Sequence, residues 1–157
     1  GMDETHFGPA LGMNRAQFAT ILYRMEGCPQ IEYQAAFPDV EENQFYTEAV
    51  EWANENGIVT GYQNTGLFDP AKTISREEMA AMLYRFAAYK KYDVKAEADM
   101  SAFPDGINVS AYAEDAVKWI VAEGLVTGEQ GKLNPQGEVN RATCAVIIQR
   151  FMELYVK

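Results

Sequence analysis

The chain has 157 residues, with 13 lysines and arginines against 23 acids and a net charge of -10. Hydrophobic residues make up 48% of it, enough for a shared core, and no run approaches the roughly 18 apolar residues of a membrane helix. The negative balance excludes a general attraction to nucleic acid or anionic lipid, so any anion site has to be local.

Gly1-Met2 resembles a tag scar, and no charged leader followed by an apolar run is visible behind it. The first patterned stretch, "FGPALGMNRAQFATILYRM" from Phe7, predicts a helix that starts after Asn14 as N-cap. Arg15 then falls at the first helical position. A cation there opposes the helix dipole and forgoes about 0.3–1 kcal/mol that an acid would supply.

From Phe37 the stretch "FPDVEENQFYTEAVEWANENGIVTGY" carries Ala49, Val50, Trp52 and Ala53 at near-helical spacing. Asn56-Gly57 ends that helix, and "GIVTGY" reads as a short extended piece and a turn. "FDPAKTISREEMAAMLYRF" from Phe68 then repeats the first pattern without a gap, with Ser75 and Glu78 forming a capping box around Arg76. "FPDGINVSAYAEDAVKWIVAEGLVTGE" from Phe103 repeats the second, aligning Asp105 with Asp39, Trp119 with Trp52 and Gly128 with Gly61. "LNPQGEVNRATCAVIIQRF" from Leu133 closes the series with Asn140 and Arg141. One unit is about 65 residues, and the misplaced arginine recurs in each.

The arginine-led helices share a broad apolar face: Phe18, Leu22 and Met25; Met79, Leu83 and Phe86; Cys144, Ile148 and Phe151. None can bury that face alone, so the three are expected to pack together. Cys144 occupies a core slot, and if the helices run parallel Cys28 lies about 15 Å further along the axis, beyond disulfide reach. Neither cysteine has metal-ligand or C-x-x-C spacing, so no cofactor or metal is expected.

The ordered motifs "FPDV", "GIVTGY", "FDP" and "ISREE", with "FPDG", "GLVTGE", "LNP" and "VNRAT" after them, resemble S-layer homology repeats, modules that attach bacterial surface proteins to the cell wall. "FGP" and "MNRAQ" are what the first repeat retains. Residues 1–34 read as a truncated first repeat, 35–100 as the second and 101–157 as the third, together forming one compact domain. The resemblance implies a mostly α fold, a pseudo-threefold spindle with a central three-helix bundle and Trp-bearing prongs. It also implies an extracellular location and non-covalent binding of secondary cell-wall polysaccharide, often bearing a pyruvate ketal, in grooves between repeats.

On that resemblance the candidate ligand-binding residues are Arg15, Arg76, Arg141, Asp39, Asp105, Gly61, Gly128 and Tyr62. A guanidinium fork beside first-turn N–H groups would favour a carboxylate, which gives the repeated arginine a purpose. The same arginines could instead pair with carboxylates of a neighbouring repeat, with Asp39 and Asp105 the obvious partners. Those two acids are otherwise expected to cap the Trp helix or brace the arginine. The tryptophans read first as packing, and Arg24, Arg85 and Arg150 as solvated or locally paired. Tyr62 stands where Glu129 does in the next turn, so the two grooves should differ in affinity.

Two rivals remain. A glycan-acting enzyme would need a defined carboxylate pair across one bond, whereas these acids recur once per repeat, and the single histidine, His6, sits at the chain start. A protein-interaction scaffold is the stronger rival: without its prong, the first central helix would expose apolar surface to be covered by a second copy, by the N-terminal tail or by sequence outside this chain, the first of these giving a homodimer through the incomplete first repeat. Nucleic acid and membrane insertion are not expected.

Overall fold

A computed structural model describes residues 12–128 and 130–156. The expectations placed on Gly1-Met2, His6, Phe7 and Glu129 lie outside the described residues. Five α-helices account for the described fold: α1 (Arg15–Met25), α2 (Thr47–Glu55), α3 (Arg76–Tyr89), α4 (Glu114–Ala122) and α5 (Arg141–Tyr155). The arrangement is mostly α. The "GIVTGY" piece forms no strand because no ladder runs alongside it; the isolated bridges among the described residues lie at the helix starts instead.

Each arginine-led helix begins as its N-cap dictates. Asn14 accepts from Gln17 N–H, Ser75 from Glu78 N–H and Asn140 from Thr143 N–H, and the first two are full capping boxes. Immediately before these caps stand Met13, Ile74 and Val139, which bond to one another in a ring. Met13 N–H donates to the Val139 carbonyl at 2.8 Å, Val139 N–H to Ile74 at 3.2 Å, and Ile74 N–H to Met13 at 2.8 Å. The three helices therefore leave one closed junction.

Below that junction Phe18, Met79 and Cys144 occupy the same slot of their helices, and all are buried. Burial pushes the Cys144 thiol up to about 12, so it behaves as a small hydrophobe. Phe86 and Phe151, ten positions in from each helix's arginine, meet at 6.1 Å between ring centroids, so α3 and α5 still touch through their aromatic side chains at that depth. Cys28 is exposed, and neither thiol is in a bridge.

The Trp helices pack chiefly on the helix of the preceding repeat, while each indole also touches the helix of its own, Trp52 at Phe86 and Tyr89 and Trp119 at Phe151 and Tyr155. α2 packs on α1, where Trp52 meets Tyr23 at 5.5 Å, and α4 packs on α3, where Trp119 meets Tyr84 at 5.6 Å. Both indoles are buried, in agreement with the packing reading. This offset corrects the expectation that the first arginine-led helix is left bare. Ala16, Ala19, Thr20 and Tyr23 of α1 are buried beneath α2. Their counterparts on α5, Ala142, Ala145, Val146 and Gln149, are exposed. Among the described residues, the apolar face without a cover lies on α5.

Trp119→Ala is expected to lower unfolding free energy by about 3–5 kcal/mol, the range for an emptied aromatic site. Denaturant unfolding followed by the remaining Trp52 fluorescence reads this; a loss under about 1 kcal/mol would show that α4 does not depend on the indole.

Candidate functional site

The site is built outwards from the repeated aspartates. Asp39 accepts from the backbone N–H of Phe68 at 3.0 Å and of Asp69 at 2.8 Å. Asp105 does the same for Leu133 at 2.9 Å and Asn134 at 2.8 Å. These bonds hold the Asp105 carboxyl below its ordinary range, the Leu133 N–H contributing most. They also hold Asp69 and Asn134 in the left-handed region, φ 61° and 50°, which Asp and Asn tolerate best among side-chain-bearing residues. Neither aspartate caps a Trp helix; the N-caps of α2 and α4 are Tyr46 and Ala113, without a side-chain bond.

The pinned loops then receive the arginines. Arg15 Nε donates to the Phe68 carbonyl at 2.7 Å, and Arg76 Nε to the Leu133 carbonyl at 3.1 Å. Asp39 and Asp105 thus brace arginine through a loop carbonyl and not by direct pairing. The same loops use up the first-turn donors. Arg15 N–H goes to Lys72 and Ala16 N–H to Pro70; Arg76 N–H goes to Gly137 and Glu77 N–H to Pro135. The helix starts of α1 and α3 are therefore satisfied by neighbouring loops, and their N–H groups do not await an anion.

Arg15 is the most enclosed of the three, 5% exposed. Its Nη1 lies 2.9 Å from Glu78 Oε2, and its guanidinium sits 4.6 Å from the Tyr62 ring centre and 4.8 Å from that of Phe68. Glu78 also accepts from Tyr62 Oη and from Ser75 N–H. Burial alone would push the Glu78 carboxyl up; the bonds from Tyr62 and Ser75 and the charge of Arg15 outweigh it and leave the pKa lowered. The internal carboxylate that the sequence reading sought in Asp39 is supplied by Glu78.

Two grooves open beside these arginines. The larger, about 520 Å³, runs between the first and second repeats and is lined by Arg15, Gly61, Tyr62, Glu78, Arg85 and Tyr112. The second, about 280 Å³, lies between the second and third repeats along Arg76, Thr127, Gly128, Thr143, Val146 and Arg150. A Cβ on Gly61 would come within 3.1 Å of the Gly66 and Leu67 carbonyls, and Gly128 adopts φ +87°. Both glycines are needed by the turn and both face a groove. Asp39, Asp105 and Arg141 line neither groove; Arg141 Nε is buried with no bonding partner among the described residues.

The sequence reading left Arg85 and Arg150 as solvated or locally paired and did not single out Tyr112, yet all three line a groove. Arg24, Arg85 and Arg150 recur nine positions after the motif arginine, and that recurrence is the available signal: nine residues are about two and a half helical turns, so α3 shows Arg76 to one groove and Arg85, from its opposite side, to the other. Tyr112 carries no such signal, because it reaches the first groove from the third repeat.

A family pattern, the S-layer homology domain, matches residues 36–80 and 102–144, more than half of the chain. The chain is 31% identical over 152 residues to a surface-layer 125 kDa protein of Lysinibacillus sphaericus, covering 94% of this chain and 12% of that protein. It is 25% identical over 152 residues to a cellulosome-anchoring protein of Acetivibrio thermocellus, covering 94% of this chain and 33% of that one. To an amylopullulanase of Thermoanaerobacterium thermosulfurigenes it is 31% identical over 156 residues, 98% of this chain and 8% of the enzyme. The chain thus spans from 8% to 33% of the lengths of these relatives.

Arg15→Ala leaves Glu78 buried without its cation and is expected to cost about 3–5 kcal/mol of stability. Because the Glu78 pKa is lowered on folding, its share of stability is complete above the ordinary carboxylate range and is lost as pH falls through the folded-state value. Acid unfolding of Glu78→Gln should therefore depend less steeply on pH below about 4.5 than that of the parent chain; identical slopes would count against the coupling.

Proposed function

The chain belongs to the S-layer homology domain family, and on that premise we propose that it is a non-covalent cell-surface anchor whose inter-repeat grooves bind an anionic cell-wall polysaccharide. The observation that carries this is the pairing of each groove with arginines and a close backbone turn: Arg15, Arg85 and Gly61 in one, Arg76, Arg150 and Gly128 in the other. In a chain of net charge -10 these are local cationic recesses, suited to a negatively charged substituent and not to a polyanion at large.

A pyruvate ketal carboxylate fits that chemistry, since a guanidinium can donate two parallel bonds to it. Tyr62 offers a ring face and a hydroxyl to the sugar beside it. The threefold spindle belongs to the same reading and is supported by the closed ring at Met13, Ile74 and Val139. Cell-surface anchoring agrees with the surface-layer and cellulosome-anchoring relatives. Likeness to an amylopullulanase is confined to 8% of that enzyme's length, and the acids that recur here hold loops, so no catalytic role is assigned. The exposed face of α5 favours a second, compatible reading in which a protein surface, such as a second copy, covers it.

Purified wall polysaccharide is expected to bind the chain, with Arg76→Ala weakening binding by about 1.5–3 kcal/mol, the range for a hydrogen bond to a charged group. Pull-down with native and depyruvylated wall fractions tests the ketal; equal recovery of the chain by both would point to neutral sugar recognition.

A further inference from the structure

We infer that in the groove between the first and second repeats the ligand's negative charge is met by Arg85, while the motif arginine Arg15 is a structural member of the groove wall. This rests on the polysaccharide-binding reading and assigns the contact within it. Arg15 is 5% exposed and already committed: its Nε serves the Phe68 carbonyl, its Nη1 the Glu78 carboxylate, and its plane lies against two aromatic rings. A second carboxylate brought to it would have to displace Glu78 or share the cation with it, placing two negative charges side by side in a recess of low polarity.

Arg85 lines the same groove in a different condition. It is half-buried on α3, and no described residue accepts a hydrogen bond from it or pairs with it. A guanidinium held at a groove wall with its donors unspent can offer a carboxylate the two-bond fork that Arg15 has given to the protein. Arg150, its counterpart in the second groove, donates to the Leu125 carbonyl at 3.3 Å, so Arg85 is the less committed of the two.

The opposite wall is shaped to hold a sugar against that fork. Tyr112 comes from the third repeat and is 54% exposed, and its segment is held to Glu77 chiefly through Ser110. The Glu77 carboxylate accepts from Ser110 N–H at 2.9 Å, Ser110 Oγ at 2.6 Å, Gln136 Nε2 at 3.1 Å and Tyr112 Oη at 3.4 Å. The equivalent positions in the other two helices are Ala16 and Ala142, so this tether is found once in the chain. It draws a tyrosine from the third repeat over a groove made by the first two. Tyr62 and Tyr112 line the groove together with Arg85, so a sugar resting against them would have its acid within the guanidinium's neighbourhood.

The test is a cycle of titration calorimetry with purified pyruvylated wall polysaccharide and the same polymer stripped of its ketal, on the parent chain, Arg85→Gln, Arg85→Ala and Arg15→Ala, each with its thermal midpoint. Arg85→Gln keeps the apolar stem packed. It is expected to weaken binding of the native polymer roughly tenfold or more at an unchanged midpoint, and to lose most of the difference between native and stripped polymer. Arg15→Ala is expected to lower the midpoint. Native affinity in Arg85→Gln, or an undiminished preference for the ketal, overturns the assignment, as does an Arg15→Ala chain that melts normally and has lost the ketal preference. A parent chain that binds neither polymer removes the polysaccharide reading itself, and the assignment with it.

Discussion

Everything in this fold hangs from three backbone hydrogen bonds, those joining Met13, Ile74 and Val139 head to tail. Each residue stands one position before the helix N-cap, so closing the ring fixes where α1, α3 and α5 begin and how they face one another. A ring of three needs each repeat to give one donor and one acceptor. The arginines follow two residues later, and Arg15 and Arg76, though not Arg141, point across a junction at the loop of the next repeat. Arg15 reaches Phe68 and Arg76 reaches Leu133.

The tension posed by a cation at a helix start resolves in the same geometry. The dipole acts through unsatisfied N–H groups, and in α1 and α3 the neighbouring loop supplies carbonyls to those groups. With the donors occupied, a guanidinium beside them faces carbonyl oxygens and, at Arg15, a carboxylate. The loop is rigid enough to do this because Asp39 or Asp105 grips its backbone twice. Aspartate, loop and arginine form one relay, which is why the three motifs recur together.

Much of this was legible in the residues. Helix starts at Asn14, Ser75 and Asn140 followed from capping chemistry, the core slots of Phe18, Met79 and Cys144 from periodicity, and the repeat length from self-alignment, because all three depend on local spacing. What escaped was relational. Asp39 gave no sign that it would serve a loop 29 residues ahead, and nothing marked Glu78 as the acid for Arg15, since a capping-box glutamate already has a sufficient local role. Tyr112 was invisible for the same reason: its tether, Glu77, belongs to another repeat and replaces an alanine. Periodicity reports which face of a helix is apolar but is silent on which neighbour covers it, so the bare face was expected on α1 and lies on α5.

That misplaced cover has a mechanical meaning. Because α2 lies on α1 and α4 on α3, the unit that repeats in the chain and the unit that packs in space are out of step, like overlapping roof tiles. Scission in the extended segment between α3 and α4 would leave the two pieces clasped through Trp119 and Tyr84. An anchor built this way carries load across its seams.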